Sequence, residues 1–310
     1  SAIEHTIEHI TINAGIRAEQ TFSKGYLVSA DQHFSREYFG IFPSLFILRP
    51  INERKGSTLS VGYNRRLTRP AMNDLNPARM VFSRYTALVG NPNILPEYSN
   101  NFSVTYVFVK NHSVDVYFSR SRNAISLSVK PGEDNSIDYY SANTGSASQY
   151  GINYSGSSSS SKAWTITNNL SAYRSDYTFG DVPYKQTSFS VSSVHVFSFA
   201  KFGDIDLIAG YRSPYIYTNL YTYGNVQIDF GVTKKLVKEK VRVRLACTDV
   251  LNSSREKELT NEKGTRLEFY RKRPTRTLRL SLTYNFSKGK KMADKKIDHS
   301  SADEKSRGAN

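Results

Sequence analysis

The feature that most constrains this chain is a strict two-residue alternation of apolar and polar side chains near its C-terminus. From Thr277 to Phe286 the apolar side chains share one parity and the polar side chains share the other. The apolar set is Leu278, Leu280, Leu282, Tyr284 and Phe286. Because successive side chains of a β-strand point to opposite faces, the segment is predicted to be a strand with one apolar and one polar face.

The same alternation recurs along most of the chain. Clear examples are Ile10–Ala18, Leu59–Leu67, Phe102–Phe108, Val226–Val232 and Val241–Cys247. The longest stretches approach the about 9–11 residues that a strand tilted across a bilayer needs, whereas soluble strands usually have about 5–6. No run reaches the roughly 18–20 consecutive apolar residues of a membrane-spanning helix. The pattern therefore predicts an all-β fold, a transmembrane antiparallel β-barrel.

Composition by itself is compatible with a second all-β class. The 310 residues are 38% hydrophobic and 13% aromatic, with 21 Tyr and 17 Phe against a single Trp. A transmembrane barrel has a modest mean hydropathy because only alternate residues face lipid, and tyrosine suits the membrane interface. A tyrosine-rich soluble β-sandwich would have the same composition, so composition leaves both classes open.

The spacing of the alternating segments predicts about twelve strands. The predicted ranges are 6–19, 38–49, 57–69, 98–110, 112–129, 136–156, 162–175, 184–200, 203–213, 222–236, 240–251 and 274–286. Short turns are expected at 51–56, 110–111, 155–161, 201–202 and 236–239, and longer loops at 20–37, 70–97, 214–221 and 252–273. Short turns on one side and long loops on the other are typical of outer-membrane barrels, with the long loops external.

The domain organisation is predicted to be one barrel segment and one tail. Residues 1–286 form the barrel segment, and residues 287–310 are expected to be a disordered, charged tail because they are polar and aperiodic. Pro43 predicts a bulge or an irregular strand, and the parity change near Val194 predicts a bulge. The first residues show neither a basic nor an apolar leader, so we expect a removed signal peptide or a chain that begins inside a longer protein.

Charge and motifs argue against several function classes. The formal net charge is +15, but the basic residues are dispersed, so nucleic-acid binding is not predicted. The single cysteine, Cys247, excludes an intrachain disulfide. The six histidines are scattered and no catalytic or nucleotide-binding motif occurs, so we predict neither an enzyme nor a metal or cofactor site.

The polar parity carries charges of both signs, which a barrel would place in its lumen. We expect these charges to neutralise one another in part: Arg17, Glu19, Asp115, Asp206, Asp229, Arg242 and Arg244.

External loops supply the candidate ligand-binding residues. The tyrosine-rich segment Ser213–Tyr223 suits a ligand platform, because a rigid ring with a polar tip gives contact area at low entropic cost. An aromatic membrane girdle is the alternative interpretation. Arg65 and Arg69 are expected to meet lipid phosphates or to pair with Asp74 and Glu97. The candidate ligand-binding set is Arg69, Tyr85, Asn91, Arg212, Tyr215, Tyr217 and Tyr221.

The block from Gly62 to Tyr106 resembles the TonB-dependent receptors of Bacteroidota-type bacteria, and Thr248–Asn252 and Leu278–Phe286 resemble other receptor segments. The motif residues are Tyr63, Arg65, Arg66, Pro70, Asn76, Pro77, Gly90, Asn91, Pro92, Pro96 and Glu97. The prolines stiffen an external loop by fixing φ and removing hydrogen-bond donors, so these motifs are interpreted as architectural.

The resemblance implies a gated uptake receptor of the outer membrane, with a plug inside a barrel of about 22 strands and an N-terminal box that contacts the TonB complex. About twelve strands and no recognisable plug make this chain similar to the C-terminal part of such a barrel. Its ligand would be a scarce metal chelate, glycan or peptide. A complete passive twelve-stranded pore or adhesin and a soluble all-β binding module are the alternatives.

The resemblance also implies the partners of the chain. These are outer-membrane lipid and lipopolysaccharide, the barrel assembly machinery through the C-terminal strand, and the TonB complex only through an N-terminal part outside this sequence. No nucleic acid and no cofactor are expected.

Overall fold

The computed structural model is almost entirely β-strand. It describes residues 2–7, 9–27, 32–132, 136–143, 145–161, 163–179, 182–200, 202–217, 219–237, 240–262 and 265–286. The predicted tail at 287–310 and parts of the predicted turns at 201–202 and 236–239 lie outside these residues.

Twenty-one strands and one short helix, α1 (Met72–Leu75), make up the described chain. In chain order the strands are β1 (Ala2–Ile7), β2 (Ile10–Leu27), β3 (Gln32–Asn52), β4 (Ser57–Thr68), β5 (Arg79–Ser83), β6 (Thr86–Val89), β7 (Glu97–Val109), β8 (His112–Arg122), β9 (Ile125–Pro131), β10 (Ile137–Asn143), β11 (Ser146–Ser161), β12 (Trp164–Phe179), β13 (Val182–Phe199), β14 (Gly203–Arg212), β15 (Tyr215–Tyr217), β16 (Leu220–Thr222), β17 (Asn225–Leu236), β18 (Val241–Thr248), β19 (Glu256–Glu262), β20 (Thr265–Arg271) and β21 (Thr277–Tyr284).

Thirteen strands form one large antiparallel sheet, here called the wall sheet. Its order is β1-β2-β3-β4-β7-β8-β11-β12-β13-β14-β17-β18-β21, so each strand pairs with its nearest wall strand along the chain. The predicted number of about twelve agrees with this sheet, and the additional strand is β1, which forms a hairpin with β2 at the start of the segment predicted at 6–19. Among the described residues β1 and β21 are the two edges, and no pairing joins them.

One face of the wall sheet is apolar. Cross-strand registers align a continuous apolar row across eight strands: Leu59, Tyr106, Val114, Tyr154, Leu170, Val191, Tyr211 and Val226. On β21, Leu278, Leu280 and Leu282 are each more than 70% exposed, as lipid-facing side chains are in a chain without its bilayer. From Leu278 to Phe286 a strand rises about 27 Å, or about 20 Å along a membrane normal at about 40° tilt, close to the apolar band of such barrels.

Aromatic side chains gather on the apolar face near the short turns. Trp164 lies parallel to His195 and Phe197, with ring centroids 6.0 and 5.8 Å away. Tyr154 hydrogen-bonds to His112 at 2.9 Å, and its ring centroid lies 6.5 Å from that of Phe108. Amphipathic rings of this kind form the interfacial girdles of membrane barrels.

The opposite face of the wall sheet is polar and hydrogen-bonded. Asp115 accepts hydrogen bonds from Thr105 at 2.8 Å and from Asn153 at 3.2 Å. Asp206 and Arg244 form two hydrogen bonds of 2.6 and 2.7 Å beside Gly231, where a Cβ would meet both charged groups. Arg17 pairs with Glu19 at 2.9 Å. Two pairs of the predicted charges therefore neutralise each other, Asp206 with Arg244 and Arg17 with Glu19. The carboxylate of Asp115 instead accepts hydrogen bonds from neutral side chains.

All long connections lie at one end of the wall sheet, and the two small sheets are built from them. The first cap sheet has the order β5-β6-β10-β9 and the second cap sheet has the order β15-β16-β19-β20. The predicted loops at 70–97, 214–221 and 252–273 therefore contain strands. The predicted strands at 112–129 and 136–156 were too long, because β9 and β10 leave the wall and join the first cap sheet.

Several other predictions about individual strands were wrong. The expected loop at 20–37 is largely the extended end of the β2–β3 hairpin. The serine run continues β11, because Ser157 and Ser159 hydrogen-bond to Thr167 and Thr165 across the hairpin. No bulge occurs at Pro43, whose missing N–H costs little because β4 begins to pair with β3 at Ser44. Strand β13 also pairs with β12 without a register shift.

The architecture is that of a transmembrane β-barrel wall: antiparallel neighbouring strands, short turns at one end, long loops at the other, one apolar face and one polar face. In the part of the chain that the structure describes, no helix has the length and apolar character needed to cross a membrane.

Candidate functional site

The second cap sheet folds over the polar face of the wall. The hydroxyl of Ser188 on β13 donates to the carbonyl of Pro214 at 2.9 Å, which ties the start of β15 to the wall. The ring of Tyr217 meets the ring of Tyr177 edge-on, with centroids 6.4 Å apart. Ser175 and Ser188 are completely or almost completely buried beneath this contact. The cap sheet therefore faces the lumen side of the wall at close range.

A cavity of about 800 Å³ lies between the wall and the second cap sheet and is here called the lumen cavity. Its wall is two neighbouring cross-strand rows of side chains. One row is Asn153, Ser171, Ser190, Arg212 and Asn225, and the other is Ser155, Asn169, Ser192, Gly210 and Gln227. The cap side is lined by Tyr215, Thr222, Tyr223, Arg255, Glu256 and Glu258.

Neutral hydrogen-bonding side chains make up most of the two wall rows, and Tyr154, Leu170, Val191 and Tyr211, which alternate with these rows, also border the lumen cavity. Ser155 donates to Asn169 Oδ1 at 2.9 Å, and Ser171 donates to Asn153 Oδ1 at 2.7 Å. These bonds orient the amides along the wall. Asn225 Oδ1 is buried and has no hydrogen-bond partner among the described residues. An unsatisfied buried acceptor costs about 1–3 kcal/mol, so a donor placed there would be stabilising.

Gly210 leaves a hollow in the cavity wall. A Cβ at this position would approach no atom nearer than the carbonyl oxygens of Gln227 and Val191, both 4.0 Å away. The space above Gly210 therefore belongs to the cavity, and a Cβ added there meets no close contact.

A second, more apolar space of about 660 Å³ separates the two cap sheets and is here called the loop groove. Its lining is Leu127, Val129, Tyr139, Tyr217, Asn219, Leu220, Glu256, Glu258, Thr260, Leu267, Phe269 and Arg271. Glu256 and Glu258 line both spaces, so the groove and the cavity adjoin at this pair of carboxylates. The groove between the external loops and the cavity against the barrel wall therefore share one border.

Asp249 anchors the segment that carries β19 and β20. Its carboxylate is 1% exposed and accepts the N–H groups of Ser253 and Ser254 at 2.9 and 3.1 Å. The hydroxyl of Thr275 donates to it at 2.5 Å, and Lys272 lies 3.6 Å away. Burial alone would raise the pKa of Asp249, but these hydrogen bonds and the lysine charge outweigh burial and lower the pKa to about 2.

No metal site is formed within the part of the chain that the structure describes: no group of three or more His, Cys, Asp or Glu side chains is positioned to hold an ion.

A family model described as the outer membrane protein beta-barrel family matches residues 2–284. The chain belongs to this family. It is therefore an outer-membrane protein, and the soluble-module alternative is set aside. None of the curated proteins matches this barrel.

Solved structures of an iron transporter, a copper transporter and a ferric enterobactin receptor share the fold of this outer-membrane barrel. The FrpB iron transporter from Neisseria meningitidis has 14% identity and a TM-score of 0.62, with 91% of this chain and 44% of that chain covered. The copper transporter OprC has 10% identity and a TM-score of 0.64, with 91% and 46% covered. The ferric enterobactin receptor PfeA from Pseudomonas aeruginosa has 16% identity and a TM-score of 0.53, with 81% and 39% covered. The barrel thus spans less than half the length of these proteins.

Three of the seven predicted ligand-binding residues line the two spaces. Arg212 and Tyr215 line the lumen cavity, where the guanidinium carbon of Arg212 lies 5.4 Å from the ring centroid of Tyr215. Tyr217 lines the loop groove. Tyr221 pairs with Ile216 between them, so its side chain points to the opposite face of the cap sheet.

The other predicted ligand-binding residues lie elsewhere. Arg69 pairs with Glu19 at 2.5 Å rather than with the acidic loop residues proposed from sequence. Tyr85 follows β5 at the tip of the first cap sheet, under the guanidinium of Arg84. Asn91 joins its own loop to the first cap sheet, because its side chain donates to the carbonyl of Ser141 on β10 at 3.3 Å and accepts the N–H of Asn93 at 2.9 Å.

The motif from Gly62 to Tyr106 joins the first cap sheet to the wall. Gly90 donates to the carbonyl of Asn76 at 2.9 Å, and a Cβ at Gly90 would overlap that carbonyl oxygen. Tyr63 donates to Asn100 at 3.0 Å, and Arg65 lies over the ring of Tyr98 at 5.4 Å.

The prediction that Glu97 pairs with an arginine finds no support in its contacts. Glu97 accepts the N–H of Ile125 at 3.0 Å, which places the start of β9. Pro70 and Pro77 flank α1, and Pro92 and Pro96 flank the buried Ile94; that these prolines stiffen the loop stays a prediction. Arg66 lies opposite Ser99 within the β4–β7 ladder.

Sequence reasoning missed most of the cavity lining. Asn153, Asn169 and Gln227 share the polar parity of long alternating strands, so their lumen orientation could have been found from parity alone. Glu256 and Glu258 carried no such signal, because β19 is short and has no apolar alternation.

Proposed function

We propose that this chain is the C-terminal barrel portion of a TonB-dependent outer-membrane receptor that takes up a scarce ligand. The observation that carries the proposal is the lumen cavity, a space of ligand size enclosed by the barrel wall and a cap built from external loops. The related structures are named as receptors or transporters of iron, ferric enterobactin and copper, which supports an uptake role for a barrel of this fold.

The geometry suggests a route for the ligand. An incoming ligand first meets the apolar loop groove between the cap sheets, passes Glu256 and Glu258, and rests against the amides of the wall. Tyr215 and Tyr217 lie along this route and offer rigid contact surfaces. Release into the periplasm would be driven by the TonB complex acting through receptor parts outside this chain.

The open edge of β21 suggests how the barrel is assembled. Among the described residues β21 pairs only with β18, and its lipid-facing leucines are exposed. An unpaired edge is very costly in lipid, so it needs a pairing partner. We propose that this strand engages the barrel assembly machinery before the barrel closes, and that lipid and lipopolysaccharide then surround the apolar face.

The test compares native cells that carry or lack the gene for this chain. Each strain grows with a single limiting nutrient, supplied as a metal chelate, an oligosaccharide or a peptide, with and without a protonophore. The proposal predicts that the deletion abolishes growth on one ligand class and that the protonophore stops the uptake. A passive pore would instead admit small solutes regardless of the protonophore, and the purified protein would conduct ions in planar bilayers.

A further inference from the structure

Two neighbouring strands carry polar side chains in the middle of their lipid-facing apolar band. The lipid-facing residues of β13 are, in order, Phe189, Val191, Ser193, His195, Phe197 and Phe199. Those of β12 are Trp164, Ile166, Asn168, Leu170 and Ala172. Asn168 lies directly opposite Ser193, so Asn168, Ser193 and His195 form one polar group with apolar residues on both sides along the strands. The hydrocarbon of a bilayer offers such groups no hydrogen-bond partner.

A single chain of hydrogen bonds links these side chains. Trp164 donates from its indole nitrogen to Nδ1 of His195 at 3.4 Å. Nε2 of His195 therefore carries the ring proton and donates to the hydroxyl of Ser193 at 2.9 Å. Ser193 donates in turn to Oδ1 of Asn168 at 2.6 Å. The chain ends at the amide nitrogen of Asn168, which donates to no acceptor among the described residues and is left on the lipid side.

A second hydrogen-bonded cluster continues the polar surface towards β8. Nδ1 of His112 lies 2.9 Å from the hydroxyl of Tyr154, and Nε2 lies 2.8 Å from the hydroxyl of Ser158. Gly156 pairs with His112 on one side and with Asn168 on the other, and a Cβ there would overlap both the Tyr154 hydroxyl and the His112 ring. The two clusters therefore form one surface across four strands. It is here called the lipid-face polar patch and consists of His112, Tyr154, Ser158, Asn168, Ser193 and His195.

The lipid-face polar patch follows a furrow of small side chains. The cross-strand row of Asn168 has Gly156 on one side and Ser193 and Ala209 on the other. Larger apolar side chains lie in the two adjoining rows, among them Leu170, Val191, Ile166 and Leu207. Small residues let two transmembrane surfaces approach closely, and polar side chains then form hydrogen bonds across the contact.

We propose that the lipid-face polar patch is the interface through which two copies of this protein associate in the outer membrane. Two copies inserted in the same orientation carry the patch at the same depth, so a two-fold axis along the membrane normal sets Asn168 beside Asn168 of the partner subunit. An asparagine amide both donates and accepts, and Oδ1 keeps a second lone pair. Each copy thus supplies the acceptor that the other lacks. Lipid headgroups do not reach the middle of the apolar band.

The lipid-facing surface around the patch is large enough for a specific contact. The five neighbouring strands β8, β11, β12, β13 and β14 lie about 4.8 Å apart, which gives a width of about 20 Å. With an apolar band about 25 Å tall, two copies bury about 1,000 Å² together, the lower bound for a specific interface. The lumen cavity lies mainly against the other face of these strands, so a gated receptor and a passive pore would dimerise alike.

The experiment uses the full-length protein in the outer membrane of its native cells, with Cys247→Ala and any other native cysteine replaced. Asn168→Cys places a thiol in the patch. Leu280→Cys is the matched control, because Leu280 is 71% exposed on the same lipid-facing side but lies on β21, outside the five strands. Copper phenanthroline oxidises the membranes, and non-reducing gel electrophoresis then separates disulfide-linked dimers from monomers.

A second measurement follows the affinity between copies without a crosslink. Fluorescence energy transfer between labelled copies in phospholipid vesicles gives the dimer dissociation constant as the protein is diluted with lipid. Asn168→Leu removes the central amide. Asn169→Leu is its control, because it makes the same change at the adjacent residue on the opposite, lumen-facing side. Thermal melting confirms that each variant is folded.

The expected result is a disulfide-linked dimer with Asn168→Cys and none with Leu280→Cys. Asn168→Leu should weaken the dimer by about 3–10-fold, the usual effect of one polar contact between membrane segments. Asn169→Leu should leave the dissociation constant within about twofold.

Three results would overturn the proposal. A wild-type protein that stays monomeric in vesicles, together with no crosslink at Asn168→Cys, would mean that the patch meets lipid alone. Equal crosslinking of Asn168→Cys and Leu280→Cys would mean random collision of copies in the membrane. A dimer that Asn168→Leu and Asn169→Leu leave equally strong would mean that another face joins the two copies.

Discussion

The two cap sheets sit at the same end of the barrel but are attached in different ways. The first is held by many hydrogen bonds within its own loops and encloses buried residues, among them Ala87 and Ile94, both 0% exposed. Asn143 alone makes hydrogen bonds to Leu95 at 2.6 and 2.8 Å, and Asp74 accepts one from Ser141 at 2.7 Å. The first cap sheet is a rigid buttress for the wall.

The second cap sheet is joined to the wall at separate points and covers open space: besides its two ends, Tyr184 donates to the carbonyl of Asn261 at 3.0 Å and the ring of Tyr217 meets that of Tyr177. Asp249 anchors one end and the Ser188–Pro214 hydrogen bond anchors the other, with the lumen cavity between the sheet and the wall. Its internal ion pairs, such as Lys257 with Glu268 at 3.0 Å, are largely exposed. The comparison shows two ways to hold external loops on a barrel. The first cap sheet is fixed by contacts among its own loops, whereas the second cap sheet leaves a space between itself and the wall that a ligand could enter.

Gly90→Val should have the largest effect and would break the first cap sheet. Any Cβ at this position overlaps the carbonyl oxygen of Asn76, so the loop backbone must move. We expect a loss of about 3–4 kcal/mol in the local opening free energy of β5 and β6, measured by hydrogen exchange. Gly210→Ala is the control, because a Cβ there meets open space. Unchanged exchange in β5 and β6 would refute the buttress role.

Asp249→Ala should have the next largest effect and would loosen only the second cap sheet. The substitution leaves the N–H groups of Ser253 and Ser254 and the Thr275 hydroxyl without their acceptor. We expect β19 and β20 to open more easily by about 2–3 kcal/mol, with β5 and β6 unaffected. Asp249→Asn, which keeps an acceptor oxygen, should lose less. Equal loosening of both cap sheets would contradict their separate anchoring.

Acidification should sharpen the same contrast with a smaller effect. The pKa of Asp249 is about 2 in the folded protein and near 3.9 when unfolded, so its charged form stabilises the fold. That contribution is complete above about pH 4 and is lost as pH falls from about 4 towards 2. Hydrogen exchange of β19 and β20 in wild type should therefore accelerate over this range, and Asp249→Asn should show no such step. An equal acceleration of hydrogen exchange in Asp249→Asn would mean that other titrating groups cause the pH dependence.

Glu256→Gln should have the smallest effect. Glu256 pairs with Arg271, both side chains are nearly half exposed, and such pairs contribute about 0–1 kcal/mol. Thermal melting should shift little, and the second cap sheet should keep its exchange pattern. A loss as large as that of Asp249→Ala would mean that surface ion pairs, not the buried anchor, hold this sheet.

The wall was largely predictable from sequence, because membrane strands carry their orientation in every second residue. The alternation predicted strands at Val241–Cys247 and at Leu278–Phe286. These segments pair as β18 and β21, with their apolar residues opposite each other. Low β-propensity misled the prediction at Ser155–Ser161, where cross-strand hydroxyl pairs sustain the hairpin. The bulge predicted at Pro43 does not form, because β4 pairs with β3 only from Ser44 onwards. The sequence does not show where that pairing begins.

The cap sheets and most of the site could not be predicted in the same way. Strands β15 and β16 have three residues each, too few to show a period. The pairing of β10 with β6 is parallel and joins distant segments, so no local signal specifies it. Tyr215 and Tyr217 were found because aromatic loop residues are chemically conspicuous, whereas Glu256 and Glu258 depend on how two loops meet.

The most direct test of the account is the structure of the full receptor, determined by electron cryomicroscopy with the ligand that the growth experiment identifies. The account predicts ligand density in the lumen cavity, between the wall amides around Asn169 and the cap ring of Tyr215. Ligand density on the outer surface of the first cap sheet, with the lumen cavity empty or filled by protein side chains, would contradict it.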